Sequence, residues 1–118
     1  MVSKSFRWDG AGGATLTLGV EDATGVRRWT CAVTEGAVAL SAVLTEDEAA
    51  RLRDVPVTGP GRRAATLPLA DGATVSVVPS GAWDARLTLS RGGAEASCDL
   101  VAPGLRHALA DLLGLVRE

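Results

Sequence analysis

One histidine, two cysteines, four aromatic residues and a single lysine are all that this 118-residue chain spends on the chemistry-rich side chains. With only His107, metal sites built on two histidines are excluded. Cys31 and Cys98 are far apart in sequence and form no CxxC pair, so a thiol redox motif or a zinc knuckle is excluded too. The basic surplus of a duplex-DNA binder is missing: 12 Lys and Arg stand against 14 Asp and Glu, a net charge of −2 and a pI near 5.4. Outside the two helices read below, Lys4, Arg7, Arg27, Arg28, Arg62, Arg63, Arg86 and Arg91 are matched one for one by acidic residues. A basic surface must therefore come from placement. No apolar run approaches the length of a membrane span, and "MVSKSFRWDG" has no apolar segment of the signal-peptide kind. A cytoplasmic protein with two reduced, buried thiols is expected. The preference for Arg over Lys, with abundant Ala and Gly, suits a GC-rich bacterial genome.

Catalytic constellations are equally thin. No GxSxG elbow accompanies His107, and "GAGG" at 10–13 lacks the Lys-Ser/Thr of a phosphate loop. Glu21–Asp22 and Glu46–Asp47 sit in a turn and at a helix start, where carboxylates serve local structure. His107 falls opposite the Leu105–Leu109–Leu112 stripe, four residues before Asp111, and reads as a solvated or ion-paired side chain. The expectation is a non-enzymatic protein without cofactor or metal.

What is abundant is apolar alternation with a period of two, the mark of strands with one buried face. "SFRWD" puts Phe6 and Trp8 on one side. "ATLTLGVE" buries Ala14, Leu16, Leu18 and Val20 against outward Thr15 and Thr17. "VRRWTCAVT" buries Trp29, Cys31 and Val33, leaving Arg28, Thr30 and Thr34 outside. "AVALSAVL" has little polar alternation and is expected to be covered on both sides. Then the period changes. "TEDEAARLRDV" opens on a capping box, Thr45 with Glu48, and stops at Pro56. "PVTGPGRR", residues 56–63, is a linker.

The second half repeats the order. "AATLPLA" carries Pro68, a sign of an edge strand. "ATVSVV" and "AWDARLTLS" follow, the latter expected to point Trp83, Ala85, Leu87 and Leu89 inward and Arg86 and Thr88 outward. "AEASCDL" leads to "APGLRHALADLLGLV", a helix with Pro103 in its first turn. Residues 14–18 match residues 73–77 at an offset of 59. After a shorter hairpin the offset becomes 56, placing Thr34 on Ser90, Gly36 on Gly92 and Leu44 on Leu100. The fold class predicted is α+β: a single domain made of two tandem ββββα units, 1–55 and 64–118, with curved antiparallel sheets and one amphipathic helix each.

Two passages, "GGAEASCDLVAPGLRHALADLLGLV" and "AVALSAVLTEDEAARLRDV", run a last strand through an elbow into a closing helix. In this the chain resembles the Whirly and PUR-repeat proteins that bind single-stranded nucleic acid. The resemblance implies helices on one side of two curved sheets. It also implies a ligand lying across the sheet surface and loops, gripped by basic residues and stacked on aromatics. The residues expected to bind nucleic acid or a protein partner are Arg7, Trp8, Arg27, Arg28, Thr30, Arg62, Arg63, Arg86 and Thr88. The other reading is a protein-interaction or assembly module on the same scaffold, with no nucleic-acid role. Open sheets leave edges that must be covered, so a homo-oligomer is expected.

Overall fold

Thr, Val and Leu alternate where the strands form, and the chain changes to helix where that alternation stops. The computed structural model describes residues 2–23, 26–56 and 61–114. Four strands, β1 (Val2–Asp9), β2 (Thr15–Ala23), β3 (Val26–Glu35) and β4 (Val38–Leu44), precede helix α1 (Glu46–Arg53). Four more, β5 (Ala65–Pro68), β6 (Thr74–Pro79), β7 (Asp84–Arg91) and β8 (Ala94–Val101), precede α2 (Ala102–Gly114). Each set is an antiparallel meander in chain order, β1-β2-β3-β4 and β5-β6-β7-β8. The tandem ββββα reading is correct. Of the linker, residues 57–60 lie outside the described residues, as does part of the "EDATG" turn.

The duplication is carried by the registers. Trp8 pairs with Leu16 and Leu67 with Val75. Leu18 pairs with Cys31 and Val77 with Leu87. Cys31 pairs with Ala42 and Leu87 with Cys98. Each member of the second pair is the sequence match of the first, so the two sheets share one hydrogen-bonding plan. A one-residue slip would have turned every apolar side chain outward. The β3–β4 and β7–β8 hairpins turn at Gly36 (φ 60) and Gly92 (φ 59), the same left-handed conformation at matched positions.

The inward faces of both sheets and both helices form one core. Leu16, Leu18, Cys31, Val33, Val75, Val77, Leu87 and Leu89 come from the strands, and Leu52, Leu105, Leu109 and Leu112 from the helices, all essentially inaccessible. Their burial is the main stabilising term, about 1.5–3 kcal/mol for each large side chain. The helices pack on each other, and α2 also lies against β1 and β2 of the other unit. The units are therefore interlocked. In α1 the Thr45 hydroxyl accepts from the Glu48 amide (3.1 Å) and the Glu48 carboxylate accepts from the Thr45 amide (2.9 Å), as the capping box requires. The second Glu48 oxygen accepts from the Ala70 amide at 2.8 Å, tying α1 to the other unit.

Two expectations are corrected. Trp83 is 64% exposed. It shares the parity of Ala85, but the chain bends at 81–83 before β7 begins, and its carbonyl accepts from the Ala102 amide (2.8 Å) while its ring stays outside. β4 is not covered on both sides: Ala42 and Leu44 are buried, whereas Val43 is 42% exposed. Val43 and Ser41 lie on the solvated face, both exposed.

Candidate binding site

Strand pairing sorts the outward residues into ladders. Across the first sheet one ladder reads Arg7, Thr17, Ala32, Ser41, the next Ser5, Gly19, Thr30, Val43, and a third Ser3, Glu21, Arg28. Across the second sheet Thr66, Ser76, Thr88 and Ser97 form a hydroxyl ladder. Its members bond one another, Thr66 to Ser76 at 3.2 Å and Thr88 to Ser97 at 2.7 Å. Arg7, Arg28 and Thr30 thus share one outer surface, and Arg86 and Thr88 share the other. Gly19 leaves a shallow hollow of about 300 Å³ walled by Ser3, Ser5, Thr17, Glu21 and Thr30.

Most of the expected arginines are already engaged. Arg86 grips Asp99 with two bonds, 2.9 and 3.3 Å. The Arg86 hydrogen bond holds the Asp99 carboxyl below its ordinary value and raises Arg86 in turn. Arg7 pairs with Asp9 at 3.1 Å and Arg27 with Asp22 at 3.6 Å. Arg62 donates to the Gly81 carbonyl at 3.0 Å. Arg28 and Arg63 make no ion pair within 4 Å among the described residues. Arg27 stands at a strand end on the side of Asp22, and Arg62 and Arg63 lie after the 57–60 connection, so the nine candidates do not converge on one spot.

Trp8 belongs elsewhere. With Phe6 it faces α2, half-buried, the two rings 6.4 Å apart. The Lys4 ammonium sits 5.2 Å above the Phe6 ring and 2.6 Å from Asp111. The indole stands against Gly104, where a side chain would start in ordinary contact, 3.4 Å from the Trp8 Nε1. Between β1 and α2 opens a groove of about 700 Å³, lined by Phe6, Arg7, Trp8, Gly104, His107, Ala108, Ala110 and Asp111. His107 is exposed on its wall, and Asp111 pairs with Lys4. Sequence reasoning missed the groove. Its one trace was the pair of large aromatics in a strand that is otherwise polar.

The sheet edges differ in how they are closed. The β4 edge is closed by the second unit: the Val43 amide donates to Asp71 (2.9 Å) and Arg91 donates to the Ser41 carbonyl (3.0 Å) and to Asp71 (2.7 Å). The β8 edge is closed by the first unit, where the Ser97 amide donates to Glu35 at 3.0 Å. Glu35 and Arg91 are sequence matches, as are Ser97 and Ser41. Each unit reaches from the same hairpin position to the same edge position of the other, one with an acceptor and one with a donor. β5 is four residues long and carries Pro68. β1 is eight residues long; among the described residues no strand but β2 pairs with it, and at its C-terminal end the Trp8 carbonyl accepts from the Cys98 thiol of β8 at 4.0 Å.

Both thiols are buried and neither is in a disulfide: burial pushes the Cys31 thiol up to about 12 and raises Cys98, whose sulfur donates to the Trp8 and Asp99 carbonyls at 4.0 and 3.5 Å. No cluster of potential metal ligands occurs among the described residues, and no helix among them is long and apolar enough to cross a membrane. No family model matches the chain, and no curated protein is found similar to it.

Proposed function

We propose that the protein is a non-catalytic interaction module, which docks an extended polypeptide along β1 above the α2 groove. The observation that carries this is the treatment of the four sheet edges. Two are closed by side chains from the opposite unit and one is blunted by length and proline, while β1, up to Arg7, is left open among the described residues over the groove of about 700 Å³. An open edge offers main-chain hydrogen bonds, and a groove beneath it takes every second side chain of an added strand. Phe6 and Trp8 are the anchors such a surface uses. We place the protein in the cytoplasm, where its thiols stay reduced.

The test is a titration of the labelled protein with a synthetic eight-residue peptide of alternating valine and serine, followed by amide chemical shifts. The module reading expects shifts in β1 and along α2 from Gly104 to Asp111, with β5 to β7 unmoved. Shifts spread over both sheets, or none at millimolar peptide with the protein monomeric, would sink it.

A second reading, single-stranded nucleic-acid binding as in the Whirly and PUR plan, is favoured by Arg28. It stands without a carboxylate partner among the described residues, on the surface that holds Thr30, Thr17 and the Gly19 hollow. That reading expects low-salt retardation of a labelled oligonucleotide by about 50 μM protein, steeply lost as salt rises and weakened by Arg28→Ala. The Arg86–Asp99 pairing gives it fewer uncommitted cations than the sequence count suggests.

A further inference from the structure

β1 itself has the pattern that the groove beside it asks for. It is eight residues long, with Phe6 and Trp8 on the groove side and Ser3, Ser5 and Arg7 on the other. We infer, resting on the interaction reading, that the occupant is β1 of a second copy of this chain, added antiparallel across a two-fold axis.

Register and charge narrow the alignment, and an aromatic pair at its centre selects Phe6. A two-fold perpendicular to the sheet keeps groove-side residues on the groove side, so the axis must pass through one residue of the strand. An axis at Arg7 would set two guanidiniums face to face, which is unfavourable. An axis at Phe6 stacks Phe6 on the partner's Phe6. It also sets Lys4 opposite the partner's Trp8, Ser5 opposite the partner's Arg7 and Ser3 opposite the partner's Asp9. Lys4 already lies over an aromatic ring in its own copy, so the second ring extends a contact that exists. The edge charges do not oppose approach, because each is neutralised at home: Lys4 by Asp111 at 2.6 Å and Arg7 by Asp9 at 3.1 Å. Such an interface is isologous and closes on itself, leaving no further β1 edge for a third copy. The two first sheets become one eight-stranded sheet, and each groove receives aromatic side chains from the other copy.

The experiment is sedimentation equilibrium and light scattering on the full chain up to about 500 μM, together with two variants. Wild type is expected at twice 12.1 kDa. Phe6→Asp should weaken the dimer by roughly thirtyfold or more, the effect of losing a central aromatic anchor. Phe6→Cys should cross-link to itself under mild oxidation, since residues on the axis are directly opposed. Thr66→Cys, on the other unpartnered edge, should not. The native thiols are buried and do not confuse the result. A wild-type monomer at the highest concentration overturns the second-copy inference, and the peptide titration then decides the interaction reading by itself. A dimer that survives Phe6→Asp, or that cross-links through Thr66→Cys and not Phe6→Cys, overturns it as well.

Discussion

Replacing Asp71 with Ala tests how the two units are joined. The Asp71 carboxylate accepts from the Val43 amide (2.9 Å) and the Ala73 amide (3.0 Å) and pairs with Arg91 (2.7 Å). Partial burial pulls its pKa up, but the two amides and the guanidinium outweigh this and hold the carboxyl below its ordinary value. The side chain keeps 24% of its exposure and Arg91 39%, so solvent screens the ion pair to about 0.5 kcal/mol. Each amide bond to the charged acceptor contributes roughly 1 kcal/mol after the same discount. Asp71→Ala should therefore cost about 2–2.5 kcal/mol at pH 7, a fall in Tm of roughly 6–12 °C for a domain of this size. Urea unfolding followed by the fluorescence of buried Trp29 measures it. The pH dependence has a definite sign. Asp71 is depressed in the folded state, so its contribution is complete above the unfolded carboxylate pKa near 4 and is lost as pH falls through the folded value. The gap between wild type and variant should close in acid. A loss under about 0.5 kcal/mol at pH 7, or a gap that persists unchanged in acid, would refute this account of the β4 edge.

Three further outcomes follow from the same geometry. Gly36→Val and Gly92→Val should destabilise by similar amounts, about 1–2 kcal/mol each, because both positions hold the same left-handed turn; unequal losses in denaturant melts would contradict the shared hairpin plan. Leu87→Ala, at a site with no exposed surface, should cost about 2–5 kcal/mol in the same melts, whereas Trp83→Ala, in solvent, should stay within roughly 0.5 kcal/mol. Ellman's reagent should leave both thiols unmodified in native protein and count two in urea, since burial raises Cys31 and Cys98; fast reaction of either in the native state would be inconsistent with the packing.

Alternation by itself determined the strands, because side chains on a pleated sheet change sides at every residue and one side must leave water. The Thr45–Glu48 box and Pro56 likewise marked where α1 begins and that the helix ends before the linker, since both act within one turn of backbone. The internal match of residues 14–18 with 73–77 predicted a duplicated plan, and the registers follow it. Local pattern could not decide Trp83, whose parity says inward while a three-residue bend turns it outward. Nor could it decide that Arg86, Arg7 and Arg27 are spent on Asp99, Asp9 and Asp22. Which carboxylate a guanidinium meets depends on cross-strand neighbours and side-chain reach, and residue order alone does not specify these. The edges belonged wholly to the tertiary structure. Glu35 and Arg91 are ordinary hairpin charges in the sequence, and they become edge closures only because the two units interlock. The same interlocking sets α2 beneath β1, opening a groove along an edge with which, among the described residues, no strand but β2 pairs.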